Sequence, residues 1–199
     1  MSETLSPSDA KFWEERYQRG EDGWELGAAS PPLERYFSDK RLDDQRALVV
    51  GCGRGHEARL LASLGAEVVG LDIAQDAIEA AERMTSPGGS IRFVKGDLFA
   101  LRGRPAFFHL VIEHTCFCAI DPARRDEYVD AVADALVPGG RLVGLFYAHG
   151  RPGGPPFTTD DAELKQRFSR RFVIEHHETP PDSIERRAGL ERLLVLRVR

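Results

Sequence analysis

Residues 46–72, RALVVGCGRGHEARLLASLGAEVVGLD, place five glycines in one apolar run that stops on an acid. ALVVG reads as a buried strand, GHEARLLASLG as a helix ending on Gly65, and AEVVGLD as a second strand. A strand that stops at Gly51 and resumes as a helix near His56 sets backbone N–H groups and a helix N-terminus at the carboxyl edge of a sheet. Open α/β folds bind their ligands there. Glycines at 51, 53 and 55 let a ligand touch bare backbone. Asp72, at the end of the second strand, can accept both hydroxyls of a ribose. Turn and acid together suit the two ends of an adenosine-type cofactor. The plainer alternative is a tight βα turn with Asp72 as a helix cap. A dinucleotide fingerprint has a third glycine where this run, GCGRGH, has His56, which counts against a nicotinamide cofactor.

The alternation continues along the chain. AQDAIEAAERM reads as a helix, SIRFVKGD as a third strand, FFHLVIEH as a fourth, PARRDEYVDAVADAL as a helix and GGRLVGLFY as a fifth strand. Strands alternating with helices of this length predict a Rossmann-like, doubly wound α/β sheet, mostly parallel, with helices on both faces. The tail breaks the rhythm. After a helix over TTDDAELKQRFS, capped by Thr158 or Thr159, RFVIEHHETP and LERLLVLRVR follow without a crossover, so the sheet closes in an antiparallel hairpin. Before the first strand, residues 8–19 form an amphipathic helix capped by Ser8, with Phe12, Trp13 and Tyr17 on its apolar side. Trp24 and a short helix entered through Pro31 and Pro32 follow.

With 199 residues the chain is expected to be one domain, 1–199. No apolar run reaches the ~20 residues of a membrane span, and the N-terminus lacks the apolar core of a secretory signal. A net charge of −5 speaks against nucleic acid as a partner. Three cysteines without framework spacing point to a reducing cytoplasm, and a monomer is expected. No general Ser/His/Asp or Cys/His set is visible.

VVGCGRGHEARLLASLGAEVVGLD resembles the first two motifs of the class I S-adenosylmethionine-dependent methyltransferases. KGDLF, 95–99, resembles their adenine-holding turn, and LVPGGRLV, 136–143, their turn before a strand. FWEERYQRGEDGWELGAASPPLERYF, EHTCFCAIDPARRDEY, GGPPF and, more loosely, IERRAGLERL are similar to the thiopurine S-methyltransferase family, including its plant thiol and halide methyltransferase branch. The resemblance implies S-adenosylmethionine as cofactor and a small-molecule methyl acceptor that is a soft nucleophile: a thiol, sulfide or halide. It also implies that residues 1–45 form a helical cover over the cofactor. The alternatives are a nucleotide-binding module without methyl transfer and a small-molecule O- or N-methyltransferase.

On this basis the cofactor contacts are Trp24, Gly51, Cys52, Gly53, Asp72, Ile73, Asp97, Leu98 and Glu113. Glu113 either holds the methionine amino group or orients its loop. His114 stands where relatives have Tyr or Arg, and is the candidate catalytic residue through contact with an anionic acceptor, or else part of a wall. His114, Cys116 and Cys118 alternate as metal ligands on an extended segment would, but a fourth ligand is missing and no metal is expected. Residues 148–157, AHGRPGGPPF, form either a connector or a lid that brings Phe157 over the acceptor. Arg186 and Arg187 either hold anionic groups near the site or, as a charged ERR run more often does, form a solvated turn.

Overall fold

The central strands alternate their side chains between two helical layers, and that alternation builds the core. The computed structural model describes residues 5–87 and 89–199, so the first four residues of the expected cover lie outside the described part. Seven strands form one sheet: β1 (Arg46–Val50), β2 (Glu67–Asp72), β3 (Ile91–Lys95), β4 (Phe108–His114), β5 (Leu136–Tyr147), β6 (Phe172–Glu178) and β7 (Glu191–Val198). Their order is β3-β2-β1-β4-β5-β7-β6. The first five pair in parallel, while β7 runs antiparallel to both β5 and β6.

In β1, Leu48 and Val50 join the core shared with Tyr128, Val132, Phe146 and Phe168. Ala47 and Val49 join the opposite core with Leu33, Phe37, Leu61 and Ile78. Period-two alternation therefore serves both faces, as expected of a strand covered on both sides. The first face carries α5 (Arg125–Ala135) and α6 (Asp161–Phe168). The second carries α2 (Pro31–Phe37), α3 (His56–Ser63) and α4 (Gln75–Arg83). The chain moves outward from β1 through β2 to β3, then returns to β4 on the other side of β1. The crevice at the carboxyl ends of β1 and β4 is the switch point of the sheet.

Three local expectations are corrected. The first helix, α1, spans Ala10–Arg19 with Asp9, not Ser8, at its N-cap, and none of its residues is buried. Its apolar side therefore faces something other than a packed core. Asp160, not Thr158 or Thr159, caps α6: its carboxylate accepts the Glu163 N–H at 2.7 Å, and a carboxylate at a helix N-terminus also meets the helix dipole favourably. β5 begins at Leu136, directly after α5, rather than at the GG pair, and its pairing with β4 shifts between Phe108 and Leu110. Among the described residues no helix is long and apolar enough to cross a membrane.

Candidate active site

A cavity of about 550 Å³ opens at the carboxyl ends of the central strands. Its floor is the glycine turn. Gly51 sits at φ 58°, and a Cβ there would come within 2.9 Å of the Cys116 side chain, so only glycine lets β1 end this close to the segment after β4. Asp72 closes β2 beside it. One of its oxygens accepts the Gly53 N–H and the other the Ala74 N–H, both at 2.9 Å. Burial raises its pKa and the N–H groups oppose that rise. Each oxygen keeps a lone pair beyond the N–H it accepts. Ile73, Asp97, Leu98 and Phe99 continue this wall, and Asp97 caps its short turn by accepting the Phe99 N–H.

The roof comes from the N-terminal segment. Pro7, Ser8, Trp13, Arg16, Tyr17 and Trp24 all line the cavity. Trp13 and Tyr17 each meet the Trp24 ring edge-on at 5.6 Å, and burial, with Asp72 nearby, pushes the Tyr17 hydroxyl well above its ordinary value. This is what the apolar side of α1 faces. The roof is tied down by two ion pairs, Lys95 to Glu14 at 3.0 Å and Arg54 to Asp22, and the His56 ring lies 2.7 Å from Glu25. His56, which stands where a dinucleotide turn has its third glycine, thus lies against the N-terminal segment.

The far end is built by the residues after β5 and before β7. Tyr147, Arg151, Pro155, Pro156, Arg186 and Arg187 line it. Tyr147 at the end of β5 is three strands from Asp72 at the end of β2, roughly 14 Å at the usual strand spacing. The cavity therefore has an acid-lined end and an arginine-lined end.

Of the residues expected from sequence, Trp24, Gly51, Asp72, Ile73, Asp97 and Leu98 stand on the wall, and Gly53 supports Asp72 from behind. Three do not stand there. Cys52 is buried among the core residues beside α3, and burial with Asp72 nearby holds its thiol well above the usual range. Glu113 and His114 are adjacent on β4, so the pleat sends them to opposite faces of the sheet, not out of its edge. Glu113 is fully buried, accepting the Tyr128 hydroxyl at 2.6 Å and the Phe117 N–H at 2.9 Å. Through the Phe117 N–H it is bonded to the segment that follows β4. His114 is also off the wall: its Nδ1 lies 2.7 Å from Glu57 and its Nε2 3.0 Å from Arg187.

The alternation imagined for His114, Cys116 and Cys118 fails at Thr115, which has φ 63°, after which Phe117–Ala119 form a 3-10 turn. Cys118 Sγ approaches the Thr115 carbonyl instead, and burial pushes its thiol up to about 12. Phe157 does not reach the cavity either. Its N–H donates to the Cys118 carbonyl at 2.7 Å, and Pro155 and Pro156 face inward in its place. Sequence reasoning missed Glu57, Tyr128, Tyr147 and Arg151. Glu57 alone left a signal, as an acid in the first turn of the helix that follows the glycine loop.

The fold and the site define a class. The chain superposes on the Burkholderia thailandensis 1,6-didemethyltoxoflavin-N1-methyltransferase, solved with bound S-adenosylhomocysteine, with a TM-score of 0.74 at 20% identity, over 100% of this chain and 92% of that one. The fold is that of the Rossmann-like methyltransferases. The family model for thiopurine S-methyltransferase matches residues 8–195, and the chain belongs to that family as an S-adenosylmethionine-dependent methyltransferase. It is similar to thiocyanate methyltransferase 1 of Brassica oleracea, 34% identical over 190 residues, covering 91% of this chain and 82% of that protein. It is also similar to the thiopurine S-methyltransferase of Pseudomonas fluorescens strain SBW25, 30% identical over 185 residues, covering 84% and 85%.

Proposed function

We propose that this enzyme methylates a small, soft, anionic acceptor (a thiolate, sulfide or halide) held at the arginine-lined end of the cavity. The observation that carries this reading is the combination found there: Arg151, Arg186 and Arg187 supply positive charge, and neither a carboxylate nor a histidine stands among the described residues that line that end. The two wall thiols, Cys116 and Cys118, are held protonated by burial. An acceptor that arrives ionised needs no base to take its proton. The similarity to a thiocyanate methyltransferase and a thiopurine S-methyltransferase supports the same class of acceptor.

The residues at the other end fit the adenosyl part of the cofactor. Asp72 would hold the ribose, because its carboxylate is fixed by two N–H groups and keeps lone pairs toward the cavity. Ile73 and Leu98 would cover the faces of the base and Asp97 its edge, while the bare backbone at Gly51 admits close approach. When bound, S-adenosylmethionine supplies an electrophilic methyl group. The chain's own work is then alignment and the exclusion of water. Trp24, Cys116, Cys118 and Ile120 make a dry, polarisable wall, and transfer to an anion cancels charge, so a site poor in water suits it. Residues 5–45 would act as the cover over this site.

We also infer a cytoplasmic monomer that takes no nucleic acid. Three free, buried cysteines and the net charge of −5 support this. So does the surface, where Met84 and Phe107 are the large apolar side chains left exposed among the described residues.

Two measurements bear on this. Asp72→Ala should weaken S-adenosylhomocysteine by at least about tenfold, since a charged hydrogen bond contributes about 1.5–3 kcal/mol. Calorimetry reads this directly, and unchanged affinity would remove Asp72 from the ribose. A panel of thiophenol, a thiopurine, sulfide, iodide and catechol with labelled S-adenosylmethionine tests the acceptor. Thiols and iodide should be methylated, with thiol rates rising through each thiol's own pKa because the thiolate attacks. Good turnover of catechol with every thiol and halide inert would overturn the proposal.

A further inference from the structure

Behind the arginine-lined end, four charged or titratable side chains from four elements form one line: Glu57 of α3, His114 of β4, Arg187 of the turn before β7, and Glu191 of β7. Each is at most 10% exposed. Glu57 Oε1 lies 2.7 Å from His114 Nδ1, His114 Nε2 lies 3.0 Å from Arg187 Nη1, and that same Nη1 donates to Glu191 Oε1 at 3.2 Å. Arg187 Nη2 donates to the Trp24 carbonyl at 3.0 Å, so the guanidinium also touches the cover.

A guanidinium donates only, and a protein does not deprotonate it. The ring nitrogen facing it is a partner only if it carries no proton. The proton of a neutral His114 then sits on Nδ1, where the Glu57 carboxylate accepts it. We propose that Glu57 and His114 are a positioning pair: Glu57 fixes the tautomer of His114, whose bare Nε2 fixes Arg187 at the acceptor end, and protonation of the ring releases that cation. The pair deepens the acceptor reading above and rests on it for what Arg187 is used for. His114, Glu191 and the Trp24 carbonyl engage three of the five N–H groups of Arg187, which leaves two for an anion in the cavity it lines.

The groups around the ring pull in opposite directions. Glu57 presents negative charge to one ring nitrogen and Arg187 positive charge to the other. The Ser30 N–H shares the charge of Glu57, Glu191 draws on Arg187 from the far side, and Glu113 lies one residue away on the opposite face of β4. Burial would raise the pKa of Glu57, but its contact with His114 outweighs that and holds the carboxyl below its ordinary range.

The test uses the whole chain. Nitrogen-15 histidine NMR on the ligand-free protein, with His114→Gln to assign the signal, should show the neutral Nδ1–H tautomer at high pH. Thiocyanate and iodide stay anionic throughout, so their affinity for the S-adenosylhomocysteine complex reports on the protein alone. That affinity should fall at least about tenfold as the His114 ring titrates, the scale of one charge-assisted hydrogen bond. His114→Gln, whose amide oxygen can accept from Arg187 and does not titrate, should keep affinity within a few-fold of the high-pH wild type and be flat with pH. Glu57→Gln should move the ring's midpoint and the affinity transition to lower pH together. An Nε2–H tautomer, a ring that titrates with no change in affinity, or a wild-type pH profile in His114→Gln would each overturn the proposal. If neither anion binds or is methylated at any pH, the acceptor reading falls. The pair is then judged by hydrogen exchange of the Arg187 side chain, which should quicken as the ring protonates; exchange indifferent to that titration would end it.

Discussion

Arg125→Met should lower stability by about 3 kcal/mol, which is about 6–12 °C in Tm for a chain of this size. Arg125 is 1% exposed, at the start of α5, and its guanidinium lies over the Phe117 ring at 4.5 Å. It donates to the Glu163 carboxylate at 2.8 Å, the Thr158 carbonyl at 3.0 Å and the Phe157 carbonyl at 3.2 Å. One side chain therefore ties α5, α6 and the end of the Gly/Pro segment after β5. Methionine keeps much of the volume but leaves two carbonyls and part of a carboxylate without a donor, and removing one partner of a buried pair is costly. Glu163 keeps Arg167 at 2.8 Å and Thr159 at 2.7 Å, which places the loss at the lower end of that range. Proteolysis at 150–154 should quicken in the same variant. A Tm within about 2 °C of wild type would show that the guanidinium is not the tie.

The sheet was legible because β1, β2 and β4 are short apolar runs each followed by an α-helix. Neighbours in sequence carry that information. The glycine turn was legible for the same reason, since Gly51, Gly53 and Asp72 meet within one βαβ unit. The residues behind the arginine-lined end were not. Glu113 and His114 looked like a pair at a strand end, but a pleat separates them, and the partners that decide their roles, Tyr128, Glu57 and Arg187, lie on other elements. Arg186 and Arg187 looked solvated because ERR is a charged run. Arg187 is buried against Glu191, His114 and the Trp24 carbonyl, the last two far away in sequence. In α1 the period was right and its destination was hidden: an aromatic stripe that lines a cavity has the same spacing as one that fills a core. Thr115 gave no warning either, since a β-branched residue rarely adopts the left-handed conformation that ends β4.

Glu113→Gln should remove a pH dependence from the protein's stability without touching the cofactor. Burial raises the Glu113 carboxyl from 4.5 to about 7, against the opposing pull of the Tyr128 hydroxyl and the Phe117 N–H. A carboxyl with a raised folded-state value binds its proton more tightly in the folded chain than in the unfolded one. Its contribution is therefore complete below 4.5 and is lost as the pH rises to about 7. At about 1.4 kcal/mol for each pH unit between the two values, the loss amounts to up to about 3 kcal/mol. Glutamine keeps an oxygen for the Phe117 N–H and an amide for Tyr128, whose hydroxyl turns to accept, and it carries no titrating proton. The stability of wild type minus that of the variant should fall by up to about 3 kcal/mol between pH 5 and pH 8, since other titrating groups cancel in the difference. Urea unfolding at several pH values reads it. Because Glu113 is off the cavity wall, S-adenosylhomocysteine affinity should change by less than about threefold, under 1 kcal/mol. A flat difference would show that Glu113 stays ionised in its buried place. Loss of cofactor affinity in a folded variant would instead return this residue to the methionine end of the ligand.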